Sequence, residues 1–111
     1  MSIKVSQVGH ITVMELNGKL MGGDETREVR DEVEKQVKAG NTKFVFDLGN
    51  IKWMNSSGLG AIVSCHNVVK EAGGALKLAR VEQKIESLLV VTHLIKVFEC
   101  HKTVDAAIAT F

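Results

Sequence analysis

The run Phe44-Val45-Phe46-Asp47-Leu48 is apolar at every position but one, and so short an apolar run reads as a strand covered on both faces. It belongs in the middle of a sheet. Beyond it, Leu59, Ile62, Val63, His66 and Val69 recur at helical spacing up to Ala72, Gly73-Gly74 supplies left-handed conformations for an exit, and Ala75–Ala79 follows as a second strand. A strand, a helix and a strand in that order make the chain an α/β protein, with a mixed sheet of about four or five strands packed against helices.

The remaining elements follow from the same patterns. Ile3–Val8 and Ile11–Leu16, separated by Gly9-His10, read as a hairpin, and Asn17-Gly18 reads as a turn before Leu20-Met21. Gly22-Gly23 breaks the chain. A first helix then opens with acid at Asp24 and Glu25, shows an apolar stripe at Val29, Val33 and Val37, and stops at Gly40-Asn41. Ile85, Leu88 and Leu89 mark a further helix, Lys96-Val97-Phe98 a short edge strand, and Val104, Ala107, Ile108 and Phe111 a closing helix capped by Thr103.

With 111 residues the chain forms one domain, residues 1–111, large enough for a single core. Net charge is +1, from 14 Lys+Arg against 13 Asp+Glu without a basic block, so the footprint of a nucleic-acid binder is missing. No apolar run reaches the length of a membrane span, and the N-terminus lacks a signal-peptide pattern. A cytoplasmic protein with protein partners is expected. Cys65 and Cys100 read as apolar fillers rather than a disulfide framework, and most histidines as surface residues.

Asn55-Ser56-Ser57-Gly58-Leu59-Gly60 places two hydroxyls where the chain turns into a helix. The first amides of a helix lack internal acceptors and carry partial positive charge, so a phosphate on a serine there sits in a favourable field. A phosphorylation switch is one reading, and a serine N-cap is the other. Competing chemistries are weaker. The hydrolase elbow lacks its upstream glycine. A phospho-aspartate receiver at Asp47 lacks an acidic pair for a metal, so local acceptance of backbone N–H groups suits Asp47 better. Gly22-Gly23 lacks the Lys-Ser/Thr of a phosphate loop, and no His or Cys spacing suits a metal. No cofactor is expected. Trp53 and Met54, beside the serines, are either core or an adaptable contact surface.

The succession of hairpin, Gly18-Lys19-Leu20, acidic helix, Phe46-Asp47-Leu48, Met54-Asn55-Ser56-Ser57-Gly58-Leu59-Gly60 and Gly73-Gly74-Ala75-Leu76-Lys77-Leu78 resembles the STAS-domain anti-sigma factor antagonists of bacteria, from about Ile3 to Phe111. The resemblance implies a non-enzymatic partner-switching module. In it the second hydroxyl residue, here Ser57, is phosphorylated, with Ser56 as the rival acceptor. An anti-sigma factor serine kinase would be the partner and a PP2C-type phosphatase would reset the switch. The implied binding face comprises Met21, Asp24, Trp53, Met54, Asn55, Ser56, Ser57, Gly58 and Leu59. Two departures stand out: Asn55 occupies the position of the family's usual aspartate, and Met21-Gly22-Gly23 precedes Asp24 where an acid often follows directly. A non-switching scaffold or a transporter-associated STAS subunit is the alternative function.

Overall fold

The structure, a computed structural model, describes residues 2–111. Along the chain run β1 (Ser2–Val8), β2 (Ile11–Leu20), α1 (Asp24–Lys38), β3 (Lys43–Met54), α2 (Ser56–Glu71), β4 (Ala75–Ala79), α3 (Gln83–Val91), β5 (Cys100–His101) and α4 (Val104–Ile108). The five strands lie side by side in sequence order. β1 and β2 are antiparallel, joined through Gly9 at φ +62°, whereas β2–β3, β3–β4 and β4–β5 are parallel. β3 is therefore central, as its apolar sequence requires.

Alternation along the strands divides the core in two. Met14, Leu16, Phe44, Phe46, Leu48, Leu76 and Leu78 pack with Val29 and Val33 of α1, Leu59, Ile62, Cys65 and Val69 of α2, and Ile85 and Leu89 of α3. The opposite face joins Ile11, Val13, Val45 and Ala79 to Ala107 of α4. Phe44 and Phe46 are wholly buried, each contributing on the order of 2–3 kcal/mol from removal of apolar area from water. The C-terminus is pinned to the sheet by polar contacts: Lys77 Nζ lies 3.0 Å from Glu99 Oε2, donates to Thr110 Oγ1 at 2.6 Å, and sits 4.3 Å above the Phe111 ring. Hydrogen bonds from His101, Lys77 and Thr110 hold the Glu99 carboxyl down at about 2.

Three expectations are corrected. Asn17-Gly18 is not a reversal, because β3 runs on to Met54 and offers β2 a ladder as far as Leu20. Gly18 spends its positive φ of +108° at a register shift instead, and Asn50 Nδ2 bridges Glu15 Oε1 and Asn17 Oδ1 at 2.7 and 2.8 Å. Lys96-Val97-Phe98 is a turn: Val97 N donates to Leu94 O at 3.0 Å and the Phe98 side chain is buried, so the edge strand forms later, at Cys100–His101. Cys100 is exposed rather than a core filler; Cys65 is buried, and burial pushes its thiol up to about 12. Of the histidines, His10 and His93 are exposed and His101 is half-buried, while His66 packs edge-on against Phe98.

Candidate functional site

The chain leaves β3 through Asn55, whose extended backbone (φ −116°, ψ −176°) turns into α2. Its side-chain amide works in two directions. Oδ1 accepts the Gly58 N–H at 2.8 Å and caps the helix, while Nδ2 donates to the carbonyl of Met21 at 3.0 Å and ties down the loop between β2 and α1. The expected serine cap is thus an asparagine: Ser56 is the first residue of the helix, and it is exposed. Ser57 follows, also exposed.

The β2–α1 loop is held from its other end by Glu25. Its Oε1 accepts from Met21 N at 2.9 Å and Gly23 N at 3.2 Å, and these backbone donors hold the carboxyl below its usual range. Thr26 Oγ1 donates to Gly23 O at 2.7 Å. Gly22, at φ +96°, lies against Ser57: a Cβ there would stand 2.7 Å from Ser57 Cβ. Gly22 thus serves as a close wall to the serine, while a Cβ at Gly23 would meet the Glu25 carboxylate, roles that only the structure reveals.

Of the residues expected on the binding face, Met21, Asp24, Trp53, Ser56 and Ser57 are exposed, and Asn55 is half-buried. Trp53 is 65 % exposed, with Lys84 Nζ 5.5 Å from its ring centroid, which decides the earlier alternative in favour of surface. Gly58 and Leu59 are buried, and Met54 is half-buried against the main core. These last three are support beneath the surface rather than contacts, because α2 must press on the end of β2 to cover the sheet.

Two clefts flank this region. One, of about 380 Å³, runs between α1 and α2, with Gly22, Arg27 and Arg30 facing Ser57, Gly60 and Ser64. The other, of about 840 Å³, is lined by Asn50, Lys52, Trp53 and Lys84, so Trp53 and Ser57 look into different clefts despite their closeness in sequence. Asp47 accepts the Gly49 N–H at 3.1 Å, as expected, but its stronger partner is Arg80, whose Nε lies 2.7 Å away. Sequence reasoning missed Arg80, Glu25 and Arg27; the acidic first turn of α1 was the only visible trace of Glu25. Among the described residues, no group of three or more His, Cys, Asp or Glu side chains could hold a metal, and no helix is long and apolar enough to cross a membrane.

The double role of Asn55 has a measurable consequence. Asn55→Asp keeps the cap and adds a favourable charge at a helix start, about 0.3–1 kcal/mol, but loses a hydrogen bond of about 1 kcal/mol and sets oxygen against the Met21 carbonyl. Global stability should therefore change by less than about 1 kcal/mol while the loop loosens. Hydrogen exchange at the Met21 and Gly23 amides should speed up in the variant; unchanged exchange there would show that Glu25 alone holds the loop.

The model of the STAS domain family matches residues 2–107. Among solved structures, the Thermotoga maritima protein TM1081, described as a candidate anti-sigma factor antagonist, superposes with a TM-score of 0.89 at 20% identity, over 97% of this chain and 92% of that one. An anti-sigma factor antagonist from Mycobacterium paratuberculosis gives 0.85 at 16% identity, over 98% and 92%. The Bacillus cell fate determinant SpoIIAA in its phosphorylated form gives 0.78 at 17% identity, over 98% of both chains. These likenesses establish the shared architecture. With the family model spanning nearly the whole chain, the protein belongs to the STAS domain family.

Proposed function

We propose that this chain is an anti-sigma factor antagonist controlled by phosphorylation of Ser57. Unmodified, it binds an anti-sigma factor serine kinase through the surface of Met21, Asp24, Trp53, Asn55, Ser56 and Ser57, and so releases a sigma factor. The kinase directs the Ser57 hydroxyl oxygen at the γ-phosphorus of ATP; the new P–O bond forms as ADP leaves, and the hydroxyl proton passes to a base of the kinase. This chain supplies the acceptor and its orientation, not the catalytic groups. A PP2C-type phosphatase would restore the hydroxyl by hydrolysis.

One observation carries the reading. Ser57 is exposed in the first turn of α2, beside the loop held by Asn55 and Glu25, so its hydroxyl is presented from a fixed position where helix amides tolerate an anion. Its likeness to SpoIIAA, a protein seen in a phosphorylated form, supports the same assignment. Ser57 also lines the cleft between the helices, which Ser56 does not; that favours Ser57 as acceptor.

Affinity capture from the native cell with wild-type protein and a Ser57→Ala variant tests the proposal. Both should retain a kinase, the wild type should gain one phosphate in ATP, and the alanine variant should gain none and resist release. Capture of a transporter subunit in place of a kinase, or a phosphate mapped to Ser56, would overturn the assignment.

A further inference from the structure

We propose that Arg27, assisted by Arg30, binds the phosphate of phosphorylated Ser57, so that the modified serine folds into the cleft between α1 and α2 instead of projecting into solvent. The inference rests on Ser57 being the acceptor. Both arginines line the same cleft as Ser57, and none of its lining residues is acidic. Arg27 has no ion-pair partner among the described residues; Arg30 is paired only with Glu34 on its own helix, at 3.1 Å with side chains 54 % and 40 % exposed. Such an exposed pair is weak and yields readily to a dianion. A guanidinium fork donates to two phosphate oxygens at once, in a way that a point charge does not.

Space points the same way. Gly22 closes one side of Ser57, whereas a Cβ placed at Gly60 would meet nothing within 4 Å. The cleft is open where a phosphate would swing. Occupation of the cleft would neutralise two cations beside the proposed binding face while adding the phosphate's own charge, changing the surface at two places with one modification.

Phosphoserine installed during translation at position 57, or at position 56 as a comparison, tests this without any kinase. The readout is the second ionisation of the phosphate, followed by ³¹P NMR at low salt. Arg27 and Arg30 line the cleft, Glu34 pairs with Arg30, Asp24 and Glu25 stand in the first turn of α1, and α2 has no acid in its first turn. The phosphate at 57 should ionise about half a pH unit or more below that at 56. Arg27→Gln should remove most of the difference and Arg30→Gln part of it, and 1 M salt should shrink it. A helix end alone acts on both serines alike, so a titration at 57 that neither substitution moves would overturn the clasp while leaving the switch intact. Failure of the native kinase to phosphorylate Ser57 would instead overturn the switch, and the cleft's role with it.

Discussion

Gly58→Ala is expected to destabilise the domain by about 3–5 kcal/mol, the sum of overpacking against backbone and a damaged helix cap. Intrinsic propensity alone gives the opposite sign, since alanine is favoured over glycine within a helix by about 1 kcal/mol. Space decides. A Cβ at Gly58 would overlap the carbonyl oxygen of Leu20 and stand 2.6 Å from its carbon, and backbone at the end of a paired strand cannot step aside as a flexible side chain can. Either α2 retreats from β2 or the strand end bends, and both disturb the Asn55 bond to Gly58 N–H.

The control lies two residues on. Gly60 occupies the same helix with open space around its missing Cβ, so Gly60→Ala should be neutral or stabilising by up to about 1 kcal/mol. Denaturant midpoints for the two variants should move in opposite directions. For Gly58→Ala, a loss of this size should lower Tm by roughly 10–20 °C. Equal stability of both variants would mean that the contact between α2 and β2 relaxes in solution.

This contrast also shows what could be read from sequence. Phe44–Leu48 announces the central strand because no alternative buries five residues so cheaply in length, and Thr103 announces α4 because its hydroxyl has one obvious use, realised as a bond from Ala106 N at 3.0 Å. Asn17-Gly18 misled because turn chemistry is local, whereas the fate of those residues was settled by a remote strand long enough to pair with them. Lys96–Phe98 misled because one buried phenylalanine in a turn imitates a short strand. At the site, the sequence suggested a serine cap, whereas Asn55, one residue before the pair, takes that role by accepting the Gly58 N–H. Its second bond, to Met21 O, joins residues 34 apart in the chain, and no spacing rule reaches that far. Arg27 was invisible for the same reason: on its own helix it is one more surface charge, and only the packing of α1 on α2 brings it to the cleft of Ser57.

Ser57→Asp is expected to weaken kinase binding by about 3 kcal/mol, more than a hundredfold in dissociation constant, while leaving the isolated domain as stable as wild type or slightly more so. The two effects have separate causes. In the free protein the carboxylate meets the unpaired amides and positive end of α2, a field worth about 0.3–1 kcal/mol to an anion. In the proposed complex it must surrender its water against a partner fitted to a neutral hydroxyl, and desolvation of a charge that the partner surface does not pair costs several kcal/mol, more than the nearby Arg27 on this chain returns to so short a side chain. Phosphate, at about −1.5 to −2 charges, should act in the same direction with larger effect. Ser57→Ala, neutral and slightly smaller, should bind as the wild type does. Calorimetric titration of the purified kinase with the three proteins, beside their unfolding curves, separates the terms: an aspartate variant that binds as tightly as wild type would remove Ser57 from the interface, and one that loses binding along with stability would place the effect in the fold.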